Sequence, residues 1–189
     1  MEAHHMVGPV DDNQIIPERV AGGQDAGGAD AFLAHIAEIL AEQGVKLAGV
    51  VQANDPHTDG GRCDMSLIEL SSGAEIRLSQ NLGAAARGCS LDPAGLVRAS
   101  ALIAQALARD GVELLIINKF GKQEASGKGL RDVLAEAMMA GIPVLAGVSR
   151  LNLAACQDFA GDCFCPLPLE RGSILAWCDT YRRGPRQDA

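Results

Sequence analysis

The chain has 189 residues and a formal net charge of −8, with an isoelectric point near 4.9. Its length and its hydrophobic content of 48 % predict one soluble domain with a core of its own. The excess of acidic residues argues against a nucleic-acid surface, because binding a phosphate chain needs clustered lysine and arginine. No apolar run reaches the roughly 20 residues that span a bilayer, and the amino terminus lacks the pattern of a secretory signal. We therefore expect a cytoplasmic protein without a membrane span.

Alternating helix and strand signals predict a single α/β domain over residues 16–183, with flexible segments at 1–15 and 184–189. Apolar residues at helical spacing predict helices over residues 29–43, 93–111 and 131–141, a short helix around 151–159 and a last helix through 174–181. Apolar runs rich in β-branched residues predict strands over 45–52, 112–117 and 142–149, and alternation predicts a hairpin within 63–80. This order favours a three-layer, doubly wound, mostly parallel sheet with an antiparallel hairpin insert.

A short basic segment, NKFGKQEASGKG at residues 118–129, follows the most apolar predicted strand. Ligands of open parallel sheets bind beyond the carboxyl ends of the strands, and a helix that begins near Gly129 favours an anion at its start. We therefore predict a small-anion site in which Lys119 and Lys122 supply charge and the backbone N–H groups around Gly121 supply donors. The alternative is that the lysines only form a solvated loop.

A second candidate is the glycine-rich segment ahead of the first helix, which contains Gly22, Gly23, Gly27 and Gly28. Glycine-rich backbone before a helix is typical of phosphate-binding loops. However, the P-loop pattern G-x-x-x-x-G-K-[ST] has lysine and a hydroxyl residue where this chain has Ala29 and Asp30. The segment is therefore a degenerate phosphate loop or a simple flexible turn, and Asp30 repels a triphosphate unless a metal ion intervenes.

Two cysteines close to arginines form a third candidate, with Cys63 after Arg62 and Cys89 two positions after Arg87. A neighbouring arginine lowers the pKa of a thiol and favours its action as a nucleophile or as a ligand of a soft metal. The alternative is that both are small buried residues. None of the six cysteines forms a C-x-x-C pair, so we expect mostly buried, reduced thiols.

The motifs CDM, ARGC and NKFGKQEA, together with GIPVLAGV, closely resemble a bacterial family known as domain of unknown function 2478. The resemblance covers about residues 45–180 and implies an association with molybdate uptake. More distantly, the order of parts resembles the small P-loop nucleoside triphosphatases related to the thermophilic and human cancer-related enzymes. That resemblance implies a P-loop-NTPase-like fold with an arginine-bearing hairpin. We therefore expect Arg62 and Arg87, beside the inserted hairpin, and Asn118 to contribute to the anion or nucleotide site.

The same resemblance places residues 118 and 119 where such an NTPase has its Walker-B-like acids. Here they are Asn118 and Lys119, whereas Gly121 and Glu124 match the glycine and glutamate that follow in the family. Ordinary ATP hydrolysis therefore lacks its magnesium-binding acids, its phosphate-binding lysine and its hydroxyl. If weak hydrolysis occurs, the resemblance makes Glu124 the water-orienting base.

We therefore expect a small-anion-binding protein with a degenerate NTPase-like fold, which binds a nucleotide or an oxyanion such as molybdate and acts in molybdenum handling. The cofactor stays open among a nucleotide, Mg²⁺ and a molybdate-type oxyanion. A weak nucleoside-triphosphate phosphohydrolase and a catalytically inactive interaction module are the alternatives. The expected partner is the anion or nucleotide, and a second copy of the chain or a molybdate-transport component is left open.

Overall fold

A computed structural model describes residues 6–11, 28–53, 65–79, 92–109 and 111–181. Several predicted site residues lie outside the described residues: Gly22, Gly23, Gly27, Arg62, Cys63, Arg87 and Cys89. Their assignments stay predictions. None of the described helices is long and apolar enough to cross a membrane.

The described residues form a seven-stranded sheet with helices on both faces. The strands are β1 (Met6–Asp11), β2 (Leu47–Ala53), β3 (Ser66–Glu69), β4 (Glu75–Arg77), β5 (Leu114–Phe120), β6 (Val144–Ser149) and β7 (Phe164–Leu167). The helices are α1 (Gly28–Glu42), α2 (Pro93–Leu107), α3 (Lys122–Ala125), α4 (Arg131–Met139), α5 (Leu153–Ala160) and α6 (Arg171–Tyr181). In space the strands run in the order β4-β3-β2-β5-β6-β1-β7.

The five strands from β2 to β7 in this spatial order pair in parallel, and the β3–β4 hairpin is antiparallel. The predicted doubly wound sheet with an antiparallel insert is thus confirmed. The hairpin turn is closed by the buried carboxylate of Glu69, which accepts hydrogen bonds from the backbone and hydroxyl groups of Ser71 and Ser72.

Two apolar cores lie on the two faces of the sheet. Helices α1 and α6 pack on one face, and α2, α4 and α5 pack on the other. Strand β5 serves both cores, because Leu114 and Ile116 face one while Leu115 and Ile117 face the other. A strand buried on both faces explains the unbroken apolar run.

Three details differ from the sequence expectations. Strand β1 at Met6–Asp11 lies inside the segment 1–15 that was expected to be a flexible leader, where a glycine and a proline hide the strand pattern. Strand β7 lies in the cysteine- and proline-rich segment that was expected to be a loop. Strand β5 continues through Phe120, so Asn118 and Lys119 belong to the strand and not to a loop after it.

Candidate functional site

The carboxyl end of β5 contains an irregularity that separates two neighbouring polar side chains. Ile117 pairs with Ala146 and Phe120 with Val148, so β5 uses three steps where β6 uses two. The extra residue makes a β-bulge, a feature that re-aims side chains and is common beside active sites. Asn118 continues the alternation of Leu114 and Ile116 towards α1 and is buried, with 7 % of its surface exposed, whereas Lys119 at the bulge is exposed to solvent.

Asn118 joins three elements that are far apart in sequence. Its Nδ2 donates to Oδ1 of Asp30 at 3.0 Å and, at a longer 3.4 Å, to Oε1 of Gln52. Its Oδ1 accepts from the backbone N–H of Gln52 at 3.3 Å. The amide therefore ties the end of β5 to the end of β2 and to the first turn of α1, and we call Asp30, Gln52 and Asn118 the polar cluster.

The polar cluster carries one formal negative charge, on Asp30. This residue lies in the first turn of α1, where the helix dipole favours a carboxylate. Its hydrogen bond from Asn118 adds a directional donor to that carboxylate.

A glycine on the neighbouring strand makes room for the bulge. A Cβ added to Gly147 of β6 would collide with the backbone oxygen of Asn118 and would lie 3.2 Å from Cδ1 of Leu33. Since real Cβ atoms do not tolerate such a contact with backbone, only glycine lets β6 approach β5 here. Gly147 thus supports the geometry of the polar cluster.

Beyond β5 the chain is shaped by Glu124, whose side chain is buried with 5 % exposed. Its Oε2 accepts the N–H of Gly121 at 2.8 Å and its Oε1 accepts the N–H of Leu130 at 3.0 Å. Its backbone oxygen accepts from Nη1 of Arg131 at 3.0 Å. One glutamate therefore closes the loop from the end of β5 to the start of α4, and we call residues 121–131 the Glu124 loop.

The Glu124 loop requires glycine at position 129. Gly129 has φ +63°, and a Cβ built there would collide with the Glu124 carboxylate. Arg131 leaves the loop on the other side, with its guanidinium 4.3 Å above the ring of Phe159. Arg131 is thus engaged in packing and does not add mobile charge to a ligand site.

The lysines of this region are available to solvent. Lys119, Lys122 and Lys128 are all exposed. Within the part of the chain that the structure describes, no hydrogen bond or ion pair engages their side chains. They supply three uncompensated positive charges after β5 in an otherwise acidic protein.

The predicted site residues therefore separate into groups. Asn118 lies in the polar cluster, which also contains Asp30 and Gln52. Gly121 and Glu124 lie in the loop, where the Gly121 N–H that was expected to bind an anion already donates to Glu124. Gly28 is the first residue of α1, two positions before Asp30.

Sequence reasoning missed the roles of Gln52 and Gly147. Gln52 has the same signal as Asn118, since it is a polar residue that ends an apolar parallel strand. Gly147 has the signal of a glycine inside an otherwise bulky strand. Neither signal identifies the residue that Gln52 or Gly147 contacts.

The described cysteines behave as structural thiols. Cys156 and Cys178 are buried, Cys163 and Cys165 are half-buried, and none of these four is in a disulfide bond. Burial raises the pKa of the Cys156 thiol from 9.0 to about 11, against a smaller opposing effect of the Arg131 charge. Among the described residues, no group of three or more histidine, cysteine or acidic side chains is arranged to hold a metal ion.

The fold defines the class of protein. The chain is similar to the solution structure of a human cancer-related nucleoside triphosphatase, with a TM-score of 0.60 at 15 % identity over 98 % of this chain and 100 % of the other. It is also similar to the crystal structure of THEP1 from the hyperthermophile Aquifex aeolicus, with a TM-score of 0.55 at 12 % identity over 93 % and 94 % of the two chains. At these identities the similarity is one of fold, and the protein has a P-loop-NTPase-like fold.

The chain belongs to the family described as "Protein of unknown function (DUF2478)", which it matches over residues 20–177. It is also 44 % identical over 183 residues to "Molybdenum import ATP-binding protein ModC 2" of Bradyrhizobium diazoefficiens. That match covers 94 % of this chain and 20 % of the relative, so the chain spans about a fifth of the relative's length. Both family resemblances inferred from the motifs are confirmed.

Proposed function

We propose that this protein binds a small anion, either a nucleotide or an oxyanion such as molybdate, at the carboxyl end of β5, and that it acts in molybdenum handling. The NTPase-like fold supports the first part, because ligands of such sheets bind beyond the carboxyl ends of the strands. The name of the molybdenum-import relative supports the second.

One observation carries this proposal, which is the bulge in β5. Just before it, Asn118 faces inward and ties the start of α1 to the end of β2, and the bulge leaves Lys119 exposed at the same strand end. A packed polar anchor next to an unpaired cation is the arrangement that a site for an anionic ligand needs, since the anchor holds the geometry and the cation attracts the charge.

Lys122 adds a second positive charge in α3, and the predicted contributors Arg62 and Arg87 add to it if the hairpin connections reach the site. Glu124 favours binding over hydrolysis. Both of its carboxylate oxygens accept backbone N–H groups, so a role as water-orienting base requires it to release at least one of them.

Equilibrium titration of the full chain with ATP, GTP, molybdate, tungstate and sulfate tests the proposal, with the nucleotides measured both with and without Mg²⁺. We expect at least one ligand to bind with a dissociation constant below millimolar. We expect Lys119→Ala to weaken that ligand by roughly tenfold or more, as loss of a charge-assisted contact does.

Lys128→Ala is the matched control, because Lys128 is an equally exposed lysine of the same region that is not assigned to the site. Its affinity is expected to equal that of the wild type within about twofold. Failure of every ligand to bind at millimolar concentration contradicts the proposal. Equal losses of affinity in Lys119→Ala and Lys128→Ala show that the ligand responds to the overall positive charge of the region and not to a specific contact with Lys119.

A further inference from the structure

Helix α2 has an apolar outer side, although that side is exposed to solvent. The residues that face the sheet are Gly95, Ala99, Ile103 and Ala106. Four exposed residues of the helix and its C-cap lie on the opposite side and form what we call the α2 face: Ala94, Val97, Ala101 and Ala108. Val97 has 69 % of its surface exposed. Since a helix between a core and water normally carries polar or charged residues towards the water, this apolar face indicates an interaction surface.

The two flanks of the α2 face differ in burial and in charge. One flank is half-buried and consists of Ser100, Ala104 and Leu107. It lies towards α4, because α2 contacts α4 and both helices pack on the same core. The other flank is exposed and carries Arg98 and Arg109, and α2 contains no acidic residue. Within the described residues, no ion pair engages either guanidinium.

Helix α4 has the opposite charge on its outer surface. Its exposed residues are Asp132, Glu136 and Met139. Met139 has 80 % of its surface exposed, and Arg131, the one basic residue of α4, is engaged in packing. A basic flank, an apolar face and an acidic helix therefore follow one another across this side of the molecule.

This order makes the surface complementary to itself. Helices α2 and α4 each lead back to the start of a parallel strand, β5 or β6, so they run in the same direction. A two-fold axis parallel to α2 keeps that direction and exchanges the two flanks in space. It places the α2 face of one copy on the α2 face of a second copy, and it places the basic flank of each copy beside the acidic α4 of the other. Every attractive pair then occurs twice, as in an isologous interface, and the small alanine side chains let the two helices approach closely.

We propose that the α2 face is a dimerisation surface, occupied by a second copy of this chain. Arg98 and Arg109 of each copy pair with Asp132 and Glu136 of the other, and this charge complementarity selects a second copy as the occupant. Two facing helix pairs make a small interface of the kind found in weak, reversible associations, so a dilute solution contains mostly the monomer. The surface shares no residue with the polar cluster or with Lys119, so dimerisation and anion binding can fail independently of each other.

Sedimentation equilibrium of the full chain from micromolar to submillimolar concentration tests whether the dimer forms. We expect a reversible monomer–dimer equilibrium that Val97→Arg weakens at least about tenfold, because it places a charge at the centre of the interface. Leu151→Arg is the matched control, since Leu151 is a large hydrophobic residue with 95 % of its surface exposed and lies outside α2 and α4. Its dissociation constant is expected to stay within about twofold of the wild type. A chain that is monomeric at every concentration, or equal effects of the two substitutions, overturns the proposal.

Two charge-reversed variants test how the copies face each other. Arg98→Glu/Arg109→Glu makes the flank of α2 acidic, and Asp132→Lys/Glu136→Lys makes the outer surface of α4 basic. Each variant alone is expected to self-associate at least about tenfold more weakly than the wild type, because like charges then face each other. An equimolar mixture is expected to form a heterodimer within a few-fold of the wild-type affinity, since every reversed flank meets a reversed α4. Absence of this recovery, while circular dichroism shows both variants folded, overturns the proposal.

A third variant separates this specific pairing from attraction between oppositely changed net charges. Glu38→Lys/Glu42→Lys makes the same change of net charge on exposed residues of α1, which packs on the other face of the sheet. Mixed with Arg98→Glu/Arg109→Glu, it is expected to recover no association. Equal recovery with the α1 and α4 variants means that only net charge acts, and it overturns the assignment of the surface.

Discussion

The polar cluster and the Glu124 loop lie in succession along β5 and the chain after it, and they are built in opposite ways. The cluster joins Asp30, Gln52 and Asn118, whose separations in sequence reach 88 residues. The Glu124 loop is closed by contacts between residues at most seven positions apart. One region depends on the whole fold, and the other is determined almost entirely by its own sequence.

Because they are built differently, we expect the Glu124 loop and the polar cluster to have different roles. Local contacts form at small entropic cost and give the loop one shape. This shape fixes the position of Lys122. Long-range contacts exist only when the sheet and α1 are assembled, so the cluster brings chemically different groups together at a strand end. We expect the loop to affect stability most and the cluster to affect ligand binding most.

Removal of the glutamate side chain is the strongest way to break the loop. Glu124→Ala leaves the N–H groups of Gly121 and Leu130 without their charged acceptor. We expect the free energy of unfolding to fall by about 3 kcal/mol, measured by urea denaturation. Glu136→Ala, which removes an exposed glutamate of α4, is the control and is expected to change it by less than about 0.5 kcal/mol.

A pair of glycine substitutions tests whether the Glu124 carboxylate excludes a side chain at residue 129. Gly127 and Gly129 have φ of +80° and +63°, but only a Cβ at Gly129 would meet the Glu124 carboxylate. We expect Gly127→Ala to cost about 1 kcal/mol from backbone strain and Gly129→Ala to cost about 2 to 3 kcal/mol. Equal costs in denaturant unfolding contradict a contact between residue 129 and Glu124.

The double variant Glu124→Ala/Gly129→Ala isolates that contact. Because the colliding carboxylate is then absent, the combined loss is expected to be smaller than the sum of the two single losses by roughly 1 kcal/mol. Simple additivity would mean that the cost at residue 129 comes from its φ angle and its close approach to the Gln123 Cβ, and not from the Glu124 carboxylate.

The fold was largely predictable from sequence, and the site was predictable only in part. Strand β5 was recognisable because burial on both faces leaves an unbroken apolar run, and α2 because Asp92 caps it before a proline. The strand β1 was missed because MVGPVD lacks both alternation and a long apolar run. Local sequence patterns therefore located only the helices and strands whose own residues form a recognisable pattern.

Contacts within the site were harder to predict for a physical reason. Asp30 and Asn118 each had a recognised position in sequence, yet their hydrogen bond depends on how α1 crosses the sheet. Glu124 matched the position of a family glutamate, but its burial and its two N–H partners follow from the path of the loop back to Leu130. Residue types and strand ends were predictable from sequence, whereas the partners of these side chains depend on the three-dimensional path of the chain.

Asn118→Ala tests the expectation that the polar cluster affects ligand binding more than stability. This change removes the donor to Asp30 and both contacts with Gln52, and we expect it to lower the free energy of unfolding by about 2 kcal/mol. Its larger effect is expected in the ligand titration, where the affinity for the anion falls at least about tenfold because α1 and β2 lose their common anchor. Asn152→Ala, which loses a single contact with Ser149 Oγ at 3.0 Å, is the control and is expected to leave that affinity unchanged.

The smallest expected effect is a chemical report on the loop from Cys156. Its pKa of about 11 keeps the thiol protonated, so native protein at pH 8 is expected to react with iodoacetamide at Cys156 much more slowly than at the half-buried Cys163 and Cys165. Because burial raises this pKa, the neutral thiol makes its full contribution to the free energy of unfolding below pH 9, and this contribution is lost as the pH rises from 9 towards 11.

Arg131→Gln removes the charge that lowers this pKa and also the contact with the Glu124 carbonyl. If the loop stays closed without Arg131, alkylation of Cys156 measured by mass spectrometry slows further; faster alkylation shows instead that Arg131 is needed to keep α4 and α5 packed over the thiol.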